Sequence, residues 1–194
     1  MKLALLILAG GRSERWGKEK ALVEVEGKPL LLHVLERLEG LSEERIISSK
    51  PGLGLEVRGV KLVEDFSEEK GAVIGLLSSL PQVRSEYVAV VACDHPRANR
   101  EVLEKLAERA EGRDGAVPRW PNGYIEPLYA VYKTESLLKA VREAGGEKRL
   151  RKVLEKLDIV YVPVEELREA DPQLDCFFNL NSPEDLPLLP PRRS

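Results

Sequence analysis

Cysteine is nearly absent: Cys93 and Cys176 are the two thiols in 194 residues. Two thiols make neither a disulfide framework nor a four-cysteine zinc site, and they point to a reducing, cytosolic compartment. Long apolar runs are lacking as well. The longest, residues 3–9, has seven residues, far short of the ~20 needed to span a bilayer. Charged Arg12, Glu14 and Arg15 follow it at once, which leaves no signal-peptide cleavage site. Aromatic residues make up 5% and the net charge is −3. A nucleic-acid binder, with its basic face and stacking rings, is therefore disfavoured. Two Gln, one Thr and one Met stand against 30 basic and 33 acidic side chains, a balance that leans toward a thermophile.

What is present suits one soluble domain. Apolar residues reach 43%, and a chain of this length buries about 70% of its unfolded surface. No linker divides it and no repeat occurs, so residues 1–189 read as one domain and 190–194 as a disordered basic tail. Nothing marks a dimerisation stripe, and the protein is expected to be monomeric.

Strand-like and helix-like segments alternate along the chain. Continuous apolar runs at 3–8 and 87–92 predict strands buried on both faces. Shorter strands are expected at 45–48, 61–64 and 159–164. Apolar residues at helical spacing predict helices over 30–38, 73–80, 99–110, 134–144 and 148–157. Residues 116–117 and 128–132 flank Asn122-Gly123, a tight-turn signal that suggests a small antiparallel insertion. Ser182-Pro183-Glu184-Asp185 has the form of a helix start. The expected fold class is α/β, a mostly parallel sheet with helices on both faces. Ligands in such folds bind outside the carboxyl ends of the strands, which directs attention to Ala9 onward, Asp65 and Asp94.

At the first strand end stands 8-LAGGRSERWGKEK-20. Glycines there let consecutive backbone amides approach an anion, and Arg12, Arg15, Lys18 and Lys20 supply the charge a triphosphate needs. The loop is not a Walker-type P-loop. Five residues separate Gly11 from Gly17, and Glu19 stands where the magnesium-binding hydroxyl belongs. Asp94 ends a buried strand and is placed to hold Mg²⁺, which takes one or two carboxylates plus substrate phosphates; a turn or capping role is the alternative. Asp65 is in the same geometric class, equally open to a turn role. His33 reads as structural or surface, and the role of His95 is open. Cys93 lacks a partner base, so nucleophilic catalysis by the protein is not expected. The basic run 148–152 is either a solvated helix start or a second anion contact.

Leu8-Ala9-Gly10-Gly11-x-Ser13-x-Arg15-x-Gly17-x-x-Lys20 resembles the opening signature of nucleotidyltransferases with a Rossmann-like GT-A fold. Gly27-Lys28-Pro29-Leu30, Asp65 with Gly71-x-x-x-Gly75-Leu76, Cys93-Asp94-His95-Pro96, Glu126-Pro127-Leu128-Tyr129 and Asn179-Leu180-Asn181-Ser182-Pro183-Glu184-Asp185 narrow the resemblance to the MobA family of molybdenum cofactor guanylyltransferases. The resemblance implies a three-layer α/β/α sandwich. It also implies transfer of GMP from GTP to molybdopterin with Mg²⁺, and transient contact with molybdoenzymes or cofactor-biosynthesis proteins. Residue by residue, it implies nucleotide contacts at Leu8, Ala9, Gly10, Gly11 and Asp65, phosphate binding at Lys20, and the metal at Asp94. Arg15 and Lys20 would stabilise the leaving pyrophosphate, and Arg149, Asn179 and Asn181 would serve the acceptor. Two positions depart from the family pattern. Ala72 replaces a proline, and Ser48 stands where an asparagine contacts the nucleotide; a serine hydroxyl lacks the amide's paired donor and acceptor. A relative that uses CTP or another phosphorylated acceptor, and a non-catalytic nucleotide-binding accessory protein, are the alternatives.

Overall fold

The computed structural model describes residues 2–191 except 11, 14, 15, 17, 55 and 68–70. Seven strands form the central sheet: β1 (Leu3–Leu8), β2 (Glu44–Ser49), β3 (Lys61–Glu64), β4 (Tyr87–Ala92), β5 (Gly115–Arg119), β6 (Tyr129–Lys133) and β7 (Ile159–Pro163). Their spatial order is β7-β5-β6-β4-β1-β2-β3. β1 runs parallel to β2 and β4, β2 to β3, and β5 to β7. β6 alone is reversed, antiparallel to β4 and β5, and this is the expected antiparallel insertion. Its turn closes at Trp120–Gly123, where the Gly123 amide donates to the Trp120 carbonyl and Gly123 takes a φ of 84°.

Alternation along β1 explains the layers. Leu5, Ile7 and Ala9 pack into one core with α1 (Leu30–Arg37) and α3 (Arg100–Ala110). Ala4, Leu6 and Leu8 pack into the other with α2 (Ala72–Ser79), α4 (Thr134–Arg142) and α5 (Leu150–Leu154). Successive strand side chains point to opposite faces, so one continuous apolar run serves both cores. Asn99 caps α3, its Oδ1 accepting from the Glu101 and Val102 amides.

The last helix is shorter than the 148–157 expected. Leu150, Val153 and Leu154 are buried and charged residues flank them, so helix persists only where packing supports it. Two small hairpins, Arg12–Ser13 with Lys18–Glu19 and Glu24–Val25 with Lys28–Pro29, went unforeseen; two-residue strands carry no periodic signal. At the C-terminus the Ser182 amide donates to Asp185, and the Pro190 carbonyl accepts from the buried Arg97 guanidinium at 2.6 Å. No helix among the described residues is long and apolar enough to cross a membrane.

Candidate active site

Four chain segments meet at the carboxyl edge of the sheet. The Ala9 amide donates to the Ser48 carbonyl at 2.7 Å and the Cys93 amide to the Leu8 carbonyl at 3.1 Å, which sets the ends of β1, β2 and β4 level. The side chains of Leu8 and Ala9 are buried in the two cores, so any contact these residues make with a ligand comes from the main chain. Gly10 lies hard against Asp65: a Cβ at this position would stand 2.5 Å from the Asp65 Oδ2. Glycine here is a packing requirement.

Asp65 and Ser48 form one unit. The Asp65 amide donates to the Ser49 carbonyl at 2.7 Å, and the Ser48 hydroxyl donates to the Asp65 Oδ1 at 2.6 Å. Burial raises the Asp65 carboxyl above the usual carboxylate range, and the Ser48 hydrogen bond and the nearby Lys50 charge oppose that rise. Ser48 is itself wedged against α2, with its oxygen 3.3 Å from the Gly75 carbonyl. A Cβ on Gly75 would meet that oxygen at 2.9 Å.

A second unit lies across β1, at the end of β4. Lys20, on a short 3-10 turn (Lys20–Leu22), places its Nζ 2.9 Å from the Asp94 Oδ2 and 2.9 Å from the Asn181 Oδ1. The C-terminal segment is brought there by the Leu180 amide, which donates to the Asp94 carbonyl at 2.9 Å. The Trp16 indole N–H reaches the Asn181 carbonyl at 3.2 Å. His95 Nδ1 donates to the Cys176 carbonyl, and its Nε2 stands 3.6 Å from the Asp94 Oδ1, too far for a hydrogen bond.

A buried carboxylate on one side of β1 and a lysine–aspartate pair on the other, both at the carboxyl edge of the sheet, suit a nucleotide and its phosphates. Comparison with known proteins agrees: residues 5–160 match the model of the MobA-like NTP transferase domain. The chain belongs to this family. A probable molybdenum cofactor guanylyltransferase of Methanosarcina mazei is 38% identical over 93% of this chain and 87% of its own length. Another, from Pyrococcus horikoshii, is 36% identical over 97% of this chain and all of its own. The crystal structure of molybdopterin-guanine dinucleotide biosynthesis protein A from Archaeoglobus fulgidus superposes with a TM-score of 0.81 at 30% identity, covering 96% of each chain. The 2-C-methyl-D-erythritol 4-phosphate cytidylyltransferase of Thermus thermophilus, at 18% identity and a TM-score of 0.71, shares the fold.

Not every residue singled out in this MobA-like chain joins the two units. Gly11 and Arg15 lie outside the described residues. Arg149 pairs with Glu147 at 2.9 Å, its side chain 73% exposed, and the Asn179 side-chain amide donates to the Phe177 carbonyl. No described hydrogen bond or ion pair links either of them to Lys20, Asp94 or Asn181. His33 is buried beneath the 24–29 hairpin, its Nε2 against the Val25 carbonyl, which suits the structural reading.

Glu126 is the residue whose place the sequence pattern did not reveal. The Ala92 amide donates to the Leu128 carbonyl, which sets 126–127 beside the end of β4. The Glu126 carboxyl is buried, accepts from the Trp120 indole at 2.8 Å, and is raised by burial and further by the Asp94 charge. Only the antiparallel register of β6 against β4 delivers it there. Knowledge that the 115–133 hairpin lies next to the strand ending in Asp94 would have been the signal.

The site's donor set fits a hard divalent cation. The Asp94 Oδ1 is enclosed and accepts no hydrogen bond, and the Asp94 Oδ2 and the Asn181 side-chain carbonyl converge on the same Lys20 ammonium. No group of three or more His, Cys, Asp or Glu that could hold a metal ion occurs among the described residues, so substrate phosphates would have to complete the coordination, as they usually do for Mg²⁺.

Proposed function

We propose that the protein transfers GMP from GTP to the terminal phosphate of molybdopterin, giving the guanine dinucleotide form of the cofactor and releasing pyrophosphate. The observation that carries the reading is the placement of the Ser48–Asp65 unit and the Lys20–Asp94 pair at the carboxyl edge of the sheet, on either side of β1. One is suited to a base, the other to phosphates. The identity of the relatives supports the choice of donor and acceptor.

Asp65 favours guanine on chemical grounds. An ionised carboxylate is an acceptor only, and guanine presents two adjacent N–H donors, N1–H and the 2-amino group, to two such oxygens. Cytosine and adenine each offer a single amino group next to an acceptor nitrogen. Ser48 spends its hydroxyl proton on Asp65, so it orients the carboxylate rather than reading the base itself.

In the transfer, an acceptor phosphate oxygen attacks the α-phosphorus in line, and the bond to the bridging oxygen breaks with its electrons on pyrophosphate. Little covalent work falls to the protein, and catalysis consists of positioning and charge neutralisation. Mg²⁺, held by Asp94, would neutralise phosphate oxygens and polarise the reacting phosphorus. Lys20, Arg15 and the main-chain amides of Gly10 and Gly11 stabilise the departing charge. Arg149 and Asn179 are assigned to the acceptor side, where the exposed guanidinium of Arg149 is free to exchange Glu147 for an anionic group.

A thermal-shift series with GTP, CTP, ATP and UTP, each with and without Mg²⁺, tests the reading. Saturation at 100 times Kd adds about 2.7 kcal/mol to stability. Selective, Mg²⁺-strengthened stabilisation by GTP, followed by pyrophosphate release with molybdopterin, is the expected result. A preference for CTP would move the protein to cytidylyl transfer, and no response to any nucleotide would overturn the enzymatic reading.

A further inference from the structure

The Lys20 ammonium lies 2.9 Å from each of two oxygens that come from opposite ends of the chain, Asp94 Oδ2 and Asn181 Oδ1. Both are hard donors of the kind that ligate Mg²⁺ or Mn²⁺. The backbone of Asn181 is held on both sides: its main-chain N–H donates to Asp185 Oδ2 at 2.8 Å, and its main-chain carbonyl accepts from Trp16. The Asp94 carboxylate has a second, enclosed oxygen with no hydrogen bond, so the pair still has coordinating capacity beyond what Lys20 uses. The Lys20 residue is 8% exposed, so its charge sits between these oxygens rather than in bulk water.

We propose that Lys20 is a tethered stand-in for the metal. In the nucleotide-free protein its ammonium fills a cation site made by Asp94 and Asn181. The polyanionic triphosphate draws it out, and a divalent ion then takes its place. Asn181 becomes a metal ligand in this scheme, in place of the acceptor contact that the family resemblance implies. The proposal rests on the nucleotidyl-transfer reading only for the identity of the anion that displaces Lys20. Two cations cannot share the same pair of oxygens, so metal and triphosphate bind cooperatively, and each strengthens the other by the same factor.

The test is Mn²⁺ binding to the full-length protein without nucleotide, followed by the electron paramagnetic resonance signal of free Mn²⁺. Wild type should bind Mn²⁺ weakly. Lys20→Met, whose stem fills the same space, should bind it about tenfold more tightly while losing transfer activity. Asn181→Ala in the Lys20→Met background should undo that gain. Lys28→Met, which removes a cation from a surface pair with Glu36, should change Mn²⁺ affinity by less than about twofold. Should Lys20→Met not fold, Lys20→Gln serves instead, because it too removes the charge. The proposal is overturned if the Lys20 variant gains no affinity, if Lys28→Met gains as much, or if the gain survives Asn181→Ala. Failure of wild type to respond to GTP would instead count against the transfer reading and leave the Mn²⁺ comparison standing.

Discussion

Ser48 donates its hydroxyl hydrogen to Asp65 across 2.6 Å, and both side chains are buried at the strand ends. The serine thereby fixes the direction of a carboxylate that would otherwise be free to rotate. Ser48→Ala removes the donor and leaves a buried oxygen less satisfied, a change worth about 1–3 kcal/mol. The expected outcome is a five- to tenfold or greater rise in the KM for GTP with a smaller effect on kcat. Steady-state kinetics check it, and an unchanged KM would mean that Asp65 does not touch the nucleotide.

Asp65 also predicts a pH dependence. Its carboxyl is raised in the folded protein, so as pH falls it takes up a proton earlier than an ordinary aspartate and loses its acceptor character. GTP affinity should therefore weaken at a pH above the usual aspartate range. Linkage has the opposite sign for stability. The native state holds this proton more tightly than the unfolded chain does, so stability declines as pH rises from the ordinary aspartate value through the raised one. Asp65→Asn, neutral at every pH, should flatten that decline, raise the melting temperature at pH 7 and abolish GTP selectivity. Melting curves across pH with and without GTP measure both effects.

Gly10→Ala tests how closely the turn approaches Asp65. The added methyl would fall 2.5 Å from the carboxylate oxygen, so either the side chain or the turn must shift, at a typical overpacking cost of about 1–3 kcal/mol. GTP-induced stabilisation should shrink more than the stability of the free protein does. Equal loss of both would mark Gly10 as a folding residue alone.

Asp94→Ala should abolish turnover and leave the fold intact, with Mg²⁺ no longer strengthening GTP binding. The aspartate side chain is 20% exposed, so the Lys20 ammonium it releases is able to turn toward solvent, and the stability cost should stay within about 1–3 kcal/mol. Circular dichroism and the Mg²⁺ dependence of the thermal shift separate the two effects, and near-normal activity would sink the metal assignment.

Cys93 immediately precedes Asp94 in the chain yet should be chemically inert. Burial, reinforced by the Asp94 charge, pushes its thiol up to about 12, which leaves almost no thiolate at neutral pH. Cys176 is raised in the same way by burial. Thiol reagents should label neither residue until the protein is denatured. Rapid labelling of the native protein would contradict both placements.

The strands β1 and β4 were legible in the sequence because a strand buried on both faces is a continuous apolar run, β5 and β6 because a turn signal lies between them, and the helices because apolar residues repeat near every fourth position. The strand-end positions of Asp65 and Asp94 were legible too, because each follows the apolar stretch of its strand. Local pattern could not tell which distant residues share a contact. Asn181 comes beneath Lys20 through the amide of Leu180, and Glu126 comes beside Asp94 through the reversed pairing of β6. Arg149, from a basic run that looked equally suited to an anion, pairs with Glu147. The sequence by itself therefore determined the layers, where the strands end and the kinds of group that follow those ends. Only the tertiary structure decided which oxygen faces which cation, because register and chain return are fixed by packing between segments far apart in the sequence.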